Sequence, residues 1–553
     1  LKDDYQIDGF IKKGKLSLLN KNYIKNLDLK FQIKKNKYSL KKVKTNFNEI
    51  ELSSPLIEIK EKNSLFFING EVLTKEKIFD MKEFNFIFKE NFKNLNIERM
   101  NFSSVNNFSF NINKRFKLDN LDIESRISLK NLVLKNNSLN IKQYLPNFEE
   151  QIKLNNHKIV IKYNKKKLDI NGKGGLSIED KKDFVKYNII KENEQYSFKT
   201  NINLDQNPLT LYFLNYKKKE DVNSVISING VYKKKSLIKF DLISFKENNN
   251  EILIKNLNLN SRLKVLDIKL INLDYINNNK IKNKISLKKD KKNYIIKGKS
   301  FDATMLVDEI LNGDREESSS LFSDINSDLS INIEKNYLDE NTFVNNLNGK
   351  IKFQNNKIHN LNLDSIFSNQ KKLTFTINTN ENNEKITTLF SGYPKPLVGQ
   401  YKFIKGFEEG VLDFYSIKKN GKSNSLLKID NFKVQEVPVL AKLLTLASLQ
   451  GIADLLTGEG IRFTDFEMKF SNEKKLMKIE EMYAIGPAIS ILMDGYLEGK
   501  KLISLRGTLV PATTINRTIS SIPVIGKILV GKKVGEGVFG VSFKVKGHPD
   551  NLK

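Results

Sequence analysis

The chain has 553 residues, of which 39% are hydrophobic and 10% are aromatic, and its formal net charge is +29. The aromatic content excludes a wholly disordered chain, and the absence of cysteine excludes disulfides, thiolate metal sites and cysteine nucleophiles. The charge allows a polyanion partner, but arginine is sparse and the lysines are spread along alternating segments, which favours compositional bias and solvated strand faces over a nucleic-acid interface.

Alternation of apolar and polar residues with a period of two begins near the start of the chain and predicts a mainly β fold. In NLDLKFQIK (26–34), the apolar side chains point to one side and the polar ones to the other. The pattern returns at 327–336, 373–380 and 540–547, with asparagine-rich turn signals between the alternating runs. The residues predicted to form the apolar face are Leu27, Leu29, Phe31, Ile33, Leu329, Ile331, Ile333, Leu373, Phe375, Ile377, Val541, Phe543 and Val545.

One hairpin is predicted directly from GKIKFQNNKIHNLNL (349–363). Two alternating runs flank Asn355 and Asn356, and asparagine tolerates the left-handed backbone conformation that tight turns require. This predicts that Ile351 and Phe353 face the apolar residues of the second run.

Helical signals are few, and the first lies in SFDATMLVDEILNGD (300–314). Asp302 is a capping residue, an apolar stripe follows it, and Gly313 is a stop signal. This segment predicts a short helix near 302–313.

The second helical signal is VPVLAKLLTLASLQGIADLLTGEG (437–460), which predicts a helix over 438–456. Its length is close to the roughly 20 residues that span a bilayer, but Lys442 and Asp454 interrupt the apolar surface. We interpret it as a helix buried against a sheet, and the alternative is a helix that contacts lipid at an interface. Its apolar residues include Leu440, Leu443, Leu444, Ala447, Ile452 and Leu455.

Composition changes near residue 391, where glycine and proline become denser and asparagine runs become rarer. We therefore predict three parts: a repetitive β-rich region over 1–300, a short helix followed by a β-rich region over 301–390, and a C-terminal domain over 391–553.

No pattern in the sequence predicts an enzyme, a cofactor site or a metal site. The three histidines lie far apart in polar settings, which predicts exposed side chains, and there is no G-x-S-x-G elbow. GKILVGKK (526–533) nearly matches a phosphate-binding loop but has Lys533 where a hydroxyl should bind magnesium. GEGVFG (535–540) leads into a strand, which favours a turn or a bulge over a dinucleotide site.

The last third of the chain resembles the AsmA-like C-terminal region of large bacterial envelope proteins, the group that includes TamB-like and YhdP-like chains. The matching stretches are 430–470, 484–499, 507–531 and 535–547. The signature turn residues in them are Gly486, Pro487, Pro511, Asn516, Pro523, Gly526 and Gly531. Upstream of residue 391, the chain resembles this group only in its general pattern, a long series of predicted strands without an enzyme motif.

The resemblance implies an elongated, curled antiparallel β-sheet with an apolar groove, plus a few short helices. It also implies a periplasmic protein of a Gram-negative cell, anchored in the inner membrane by a segment expected before Leu1. Such proteins are thought to conduct phospholipid between the inner and outer membranes, in outer-membrane lipid homeostasis. The resemblance also implies that other envelope proteins are possible partners. It implies no catalytic residue, no cofactor and no nucleic-acid partner.

The physics of lipid transfer agrees with such a fold. Each CH₂ group moved from an apolar setting into water costs about 0.8 kcal/mol, so a continuous apolar trough lowers the barrier for an acyl chain without any chemistry. The pattern alone fits an ordinary sandwich or a β-helical protein equally well. The alternative is therefore a structural or assembly factor of the envelope, with a packed β core and no lipid conduction.

Overall fold

The structure, a computed structural model, forms two compact units, Leu1–Lys280 and Ile281–Lys553, and both consist almost entirely of β-strands. The residues it describes are 5–17, 23–47, 50–80, 96–135, 142, 144–146, 148, 151–178, 180–233, 237–305, 326–355, 357–398, 405–436, 460–487, 489–499, 501–511, 541–548 and 551–552.

The first unit contains long strands and one small hairpin with a short 3-10 helix, Tyr212–Leu214, at its tip. The strands are β1 (Gln6–Ser17), β2 (Tyr23–Lys34), β3 (Lys37–Phe47), β4 (Ile50–Lys62), β5 (Leu65–Asp80), β6 (Asn96–Asn113), β7 (Leu118–Lys135), β8 (Gln151–Asn164), β9 (Lys167–Ile178), β10 (Lys181–Glu192), β11 (Gln195–Asn203), β12 (Leu209–Leu211), β13 (Tyr216–Lys218), β14 (Ser224–Lys233), β15 (Leu237–Glu247), β16 (Asn250–Asn260) and β17 (Val265–Ile276).

Strands that follow one another in the first unit pair as an antiparallel meander. The ladder runs from β1 to β11, passes over the hairpin of β12 and β13, and continues from β11 through β14 to β17. Tight turns join many of the strands, and both residues of Asn63–Ser64 and of Lys165–Lys166 have positive φ. This is the conformation of type I′ turns, whose twist matches that of the strands they connect.

The second unit repeats this design with one short helix, α1 (Lys395–Val398). Its strands are β18 (Lys282–Asp290), β19 (Asn293–Asp302), β20 (Ser327–Tyr337), β21 (Phe343–Gln354), β22 (Lys357–Phe367), β23 (Lys372–Thr379), β24 (Lys385–Ser391), β25 (Lys405–Lys419), β26 (Lys422–Glu436), β27 (Ile461–Glu473), β28 (Leu476–Ile485), β29 (Ile489–Glu498), β30 (Leu502–Pro511), β31 (Val541–His548) and β32 (Asn551–Leu552).

One pair in the second unit is parallel, β19 with β20, in the register of Tyr294 opposite Leu329. Parallel neighbours need a crossover connection, and the predicted helix near 302–313 falls in this connection. Asp302 Oδ1 accepts a hydrogen bond from the backbone N–H of Thr304 (3.0 Å), and residues 304–305 are helical. The rest of this predicted helix lies outside the described residues.

The prediction of a mainly β fold built from antiparallel strands is confirmed in both units. The predicted hairpin is also confirmed, because Ile351 lies opposite Leu361 and Phe353 opposite Ile358. The helix predicted over 438–456 lies outside the described residues. The predicted division at residues 300 and 390 and the curl of the sheet stay predictions.

Candidate functional site

The second unit carries an unbroken line of apolar positions across its sheet. Directly opposed residues on neighbouring strands project from the same face, so the register alone defines this line, which we call the central row. It contains no polar side chain. Its members, in strand order from β18 to β31, are Leu287, Ile296, Ile331, Gly349, Leu363, Phe375, Leu389, Phe414, Leu427, Met468, Met482, Met493, Gly507 and Phe543.

A second row on the same face runs beside the central row, at a distance of two residues on each strand except β28, where the register shifts and the distance is three. It is apolar at both ends but carries hydroxyl groups in the middle, and we call it the flanking row. Its members are Leu329, Ile351, Leu361, Ile377, Thr387, Ser416, Ser425, Phe470, Ile479, Gly495, Leu505 and Val545.

The register places the predicted apolar positions of the second unit on this one face. Ile331, Phe375 and Phe543 belong to the central row, and Leu329, Ile377 and Val545 to the flanking row. By register, three more candidates lie on the same face. They are Ile333, Leu373 and Val541.

The central row is only partly covered. Every side chain in it is half-buried except that of Met482, which is buried. At one end of the same strands, in contrast, Ile489 and Leu509 are 0% exposed and pack in a core with Val398 of α1. One end of the face is therefore closed, and the central row keeps partly exposed hydrocarbon.

The first unit has an equivalent apolar face. A row of directly opposed residues crosses β8 to β17. This row consists of Ile161, Ile170, Ile189, Phe198, Gly230, Phe240, Leu257 and Ile268. On the earlier strands, Phe31 lies opposite Leu40, which in turn lies opposite Ile57. The first unit thus also offers connected apolar surface.

The predicted positions on β2 share this face, and three of them, Leu29, Phe31 and Ile33, line an open cavity of about 310 Å³. Leu27 lies on the same strand, opposite Gly14. The cavity is lined by Ile11, Leu29, Phe31, Gln32, Ile33, Tyr38, Leu40 and Ile59. Because all of these except Gln32 are apolar or aromatic, the cavity suits a hydrocarbon group.

One end of the face in the first unit is covered by residues 204–218, the cover segment. Leu204, Leu209 and Tyr216 pack there against Phe245 and other residues of the sheet.

Polar contacts hold the cover segment in place. Asp183 accepts hydrogen bonds from the backbone N–H groups of Asp205 (2.7 Å) and Gln206 (2.8 Å). The fully buried Lys218 donates from Nζ to the backbone oxygens of Asp205 (2.9 Å) and Asn207 (2.8 Å). Burial lowers the pKa of Lys218, although neighbouring carboxylates, Asp183 first, oppose the shift.

The prediction that the histidines are exposed is wrong for His157, whose side chain is buried and only 1% exposed. It lies opposite Leu129, and its ring fills the space that a side chain at Gly174 would occupy. Its Nε2 lies 2.9 Å from the backbone oxygen of Gly175. Burial favours the neutral imidazole and lowers the pKa of His157, and the hydrogen bond with Gly175 O opposes this shift.

In the second unit, the face of the sheet opposite the central row carries polar side chains that form ion pairs. Lys428 Nζ lies 3.0 Å from Glu467 Oε2, and Arg506 Nε lies 2.8 Å from Asp494 Oδ1. The Tyr483 hydroxyl donates to Glu467 Oε2 (3.0 Å). Burial, and then this hydrogen bond, raise the pKa of Tyr483 to about 12. These polar side chains lie where the alternation predicts them, but the same face also carries apolar residues, such as the directly opposed Ile386 and Ile417 and the exposed Tyr415.

Three of the signature turn residues, Gly486, Pro487 and Pro511, lie in the described part of the chain. Gly486 is buried between β28 and β29, donates its N–H to Ile489 O (2.8 Å), and has no room for a side chain beside Arg462 O. Pro487 is exposed, and Pro511 is the last residue of β30, opposite Ile489.

Several predicted site residues, and both glycine patterns weighed above, lie outside the described residues. The residues concerned are Leu440, Leu443, Leu444, Ala447, Ile452, Leu455, Asn516, Pro523, Gly526 and Gly531.

Sequence reasoning missed three features of this surface: the glycines that belong to the rows, the hydroxyl groups in the middle of the flanking row, and the cover segment. Within the ranges that the structure describes, no cluster of histidine and carboxylate side chains is arranged to hold a metal ion. The same ranges hold no helix long and apolar enough to cross a bilayer.

The comparisons with protein-family models and with curated proteins found no relative of this chain. No protein-family model matches the sequence, and no curated protein matches it.

Proposed function

We propose that this chain is a non-enzymatic protein of the Gram-negative cell envelope that carries phospholipid along its apolar sheet faces between the inner and outer membranes. The observation that carries the proposal is the central row, in which Ile331, Phe375 and Phe543 belong to one uninterrupted apolar line. Residues 391–553 would form the AsmA-like C-terminal domain of a periplasmic protein that is anchored in the inner membrane.

The energetics favour this use of the face. Each acyl CH₂ that leaves an apolar environment for water costs about 0.8 kcal/mol. A row with half-buried hydrocarbon on most of its strands gives an acyl chain repeated contacts, and neighbouring strands are roughly 4.8 Å apart. Movement along the rows then exchanges one set of apolar contacts for an equivalent set, and no covalent step is needed.

A second candidate is a structural or assembly factor of the envelope. It is favoured by the closed ends of the faces, where Leu509 and Ile489 are fully buried and Phe432 stacks on Phe463 with ring centroids 5.3 Å apart. In such a protein the apolar face would bind a protein partner instead of lipid.

Site-specific photocrosslinking in living Gram-negative cells separates the two. A photoreactive residue at Phe31 or Ile331 should crosslink phospholipid, because both side chains lie on the apolar faces. The matched controls are Lys30 and Asn332, their exposed neighbours on the same strands. Lipid adducts at the apolar positions alone would support transport, whereas a protein adduct without lipid at these positions would support the structural alternative.

A further inference from the structure

A row of polar residues borders the flanking row near one end of β23 to β26. It consists of directly opposed residues and lies on the same face as the apolar rows. We call it the lysine row. Its members are Thr379, Lys385, Lys418 and Ser423.

Polarity changes in steps across these strands. On β24, Leu389 belongs to the central row, Thr387 to the flanking row and Lys385 to the lysine row; on β25, the corresponding residues are Phe414 and Ser416, then Lys418. Four residues of a strand span roughly 13 Å. Hydrocarbon, hydroxyl and ammonium groups thus follow one another over the length that separates the acyl chains, ester groups and phosphate of a phospholipid.

The two lysines have no structural explanation. Lys385 and Lys418 lie directly opposite each other, and like charges in such positions destabilise a sheet. Lys385 is half-buried, and the described part of the chain places no carboxylate at ion-pairing distance from either lysine. Glu384, the nearest acidic residue in sequence, projects from the other face and pairs with Lys419 (3.0 Å).

The surroundings of Lys385 make its positive charge still less favourable. Burial lowers the pKa of Lys385, and the positive charges of Lys418 and Lys357 lower it further. Other lysines in the chain are also directly opposed, such as Lys158 and Lys173, but both of those are exposed to solvent, whereas Lys385 is half-buried opposite the exposed Lys418. A desolvated cation held between like charges is the environment in which a bound anion contributes most.

We propose that Lys385 and Lys418 bind the phosphate group of a phospholipid whose acyl chains lie on the central row. This inference rests on the proposed function and adds a headgroup site to it. The ammonium groups of the two opposed lysines donate charge-assisted hydrogen bonds to the phosphate oxygens, and the Ser416 and Ser425 hydroxyls, 2.8 Å apart, lie beside the glycerol ester region.

The test compares two double variants of the full chain, K385Q/K418Q and K419Q/K422Q. Lys419 and Lys422 are also directly opposed, but on the other face, so both variants remove the same charge from a pair of adjacent strands, β24 and β25 in the first variant and β25 and β26 in the second. Each protein is incubated with phosphatidylcholine vesicles that contain either phosphatidylglycerol or diacylglycerol with the same acyl chains. Retained lipid is then measured by mass spectrometry.

We expect K385Q/K418Q to retain at least about tenfold less phosphatidylglycerol than the natural chain does, because a tenfold change already corresponds to losing one charge-assisted hydrogen bond and the variant removes both donors. Diacylglycerol retention should not change, and K419Q/K422Q should behave as the natural chain does. Equal phosphatidylglycerol retention by the two variants would overturn the headgroup site. Failure of the natural chain to retain either lipid would overturn the proposed function itself.

Inorganic phosphate distinguishes a lipid headgroup from free phosphate. Its binding is followed through the ammonium resonances of Lys385 and Lys418 in the lipid-free chain. Phosphate that perturbs these signals and competes with phosphatidylglycerol would support the site. Phosphate that binds through both lysines without changing lipid retention would reassign the site to free phosphate and overturn the proposal.

Discussion

The ring of Tyr187 on β10 occupies the space that a side chain at Gly172 on β9 would fill, because the two residues lie directly opposite each other. The same arrangement recurs where Phe31 covers Gly9. In both pairs an aromatic ring covers the backbone of a glycine and adds apolar surface where the glycine itself has no side chain.

We predict that Gly172→Ala lowers the local free energy of unfolding by about 1–3 kcal/mol, because the added methyl group overlaps the Tyr187 ring. Hydrogen exchange of the β9 and β10 amides measures this local stability. The control is Gly175→Ala on the same strand, whose added carbon would lie 3.3 Å from Asn155 O and should cost less. Equal effects of the two substitutions would contradict the proposed packing.

A second prediction compares two leucines of the second unit. Leu509→Ala should destabilise its strand by about 2–5 kcal/mol, since this side chain is fully buried in the core at the closed end. Leu363→Ala, in the half-buried central row, should cost roughly 1 kcal/mol, because less of its surface leaves water on folding. Hydrogen exchange of β30 and β22 provides the two values.

The outcome also bears on function. If Leu363→Ala were as costly as Leu509→Ala, the central row would be a sealed core, and the structural alternative would be favoured over lipid transport. A small cost would mean that the chain keeps this apolar surface for a reason other than its own stability.

The sequence predicted which residues of one strand share a face, because a strand alternates its side chains with a period of two. Leu329, Ile331 and Ile333 therefore lie on the predicted side. The register between strands was not predictable, because it depends on bulges as well as on turns. Asn346, for example, has a φ of 53°, and the register between β21 and β22 shifts beside it.

Contacts between distant strands were likewise beyond the sequence. Nothing in the local pattern shows that Lys385, the first residue of β24, lies opposite Lys418, near the end of β25. His157 was expected to be exposed, and its burial depends on the space left by Gly174 on the next strand. Both features require the register of the folded sheet.

A third prediction concerns Lys385→Gln, which should raise the free energy of unfolding of β24 by about 0.2–1 kcal/mol in the absence of lipid. The substitution removes the repulsion between Lys385 and Lys418. Because the pKa of Lys385 is lower in the folded chain than in the unfolded one, the natural chain should gain stability as pH rises from the folded pKa towards 10.5. The free energy of unfolding of β24 is measured by hydrogen exchange in this variant and in the control Lys419→Gln. The control loses an ion pair with Glu384, so the substitution itself should not stabilise β24.

A fourth prediction concerns the polar face, where the Tyr483 hydroxyl donates to Glu467 and the pKa of Tyr483 is raised to about 12 by burial and by that hydrogen bond. Since the folded pKa lies above the ordinary value of 10.0, the stability that this tyrosine contributes is complete below pH 10 and is lost as pH rises through about 12. Tyr483→Phe should remove this pH dependence. Near-ultraviolet absorbance follows tyrosinate formation, and denaturant unfolding across the same pH range follows stability. Tyr496→Phe, an exposed tyrosine on the neighbouring β29, is the matched control, and an unchanged alkaline transition in Tyr483→Phe would contradict the role assigned to the hydrogen bond with Glu467.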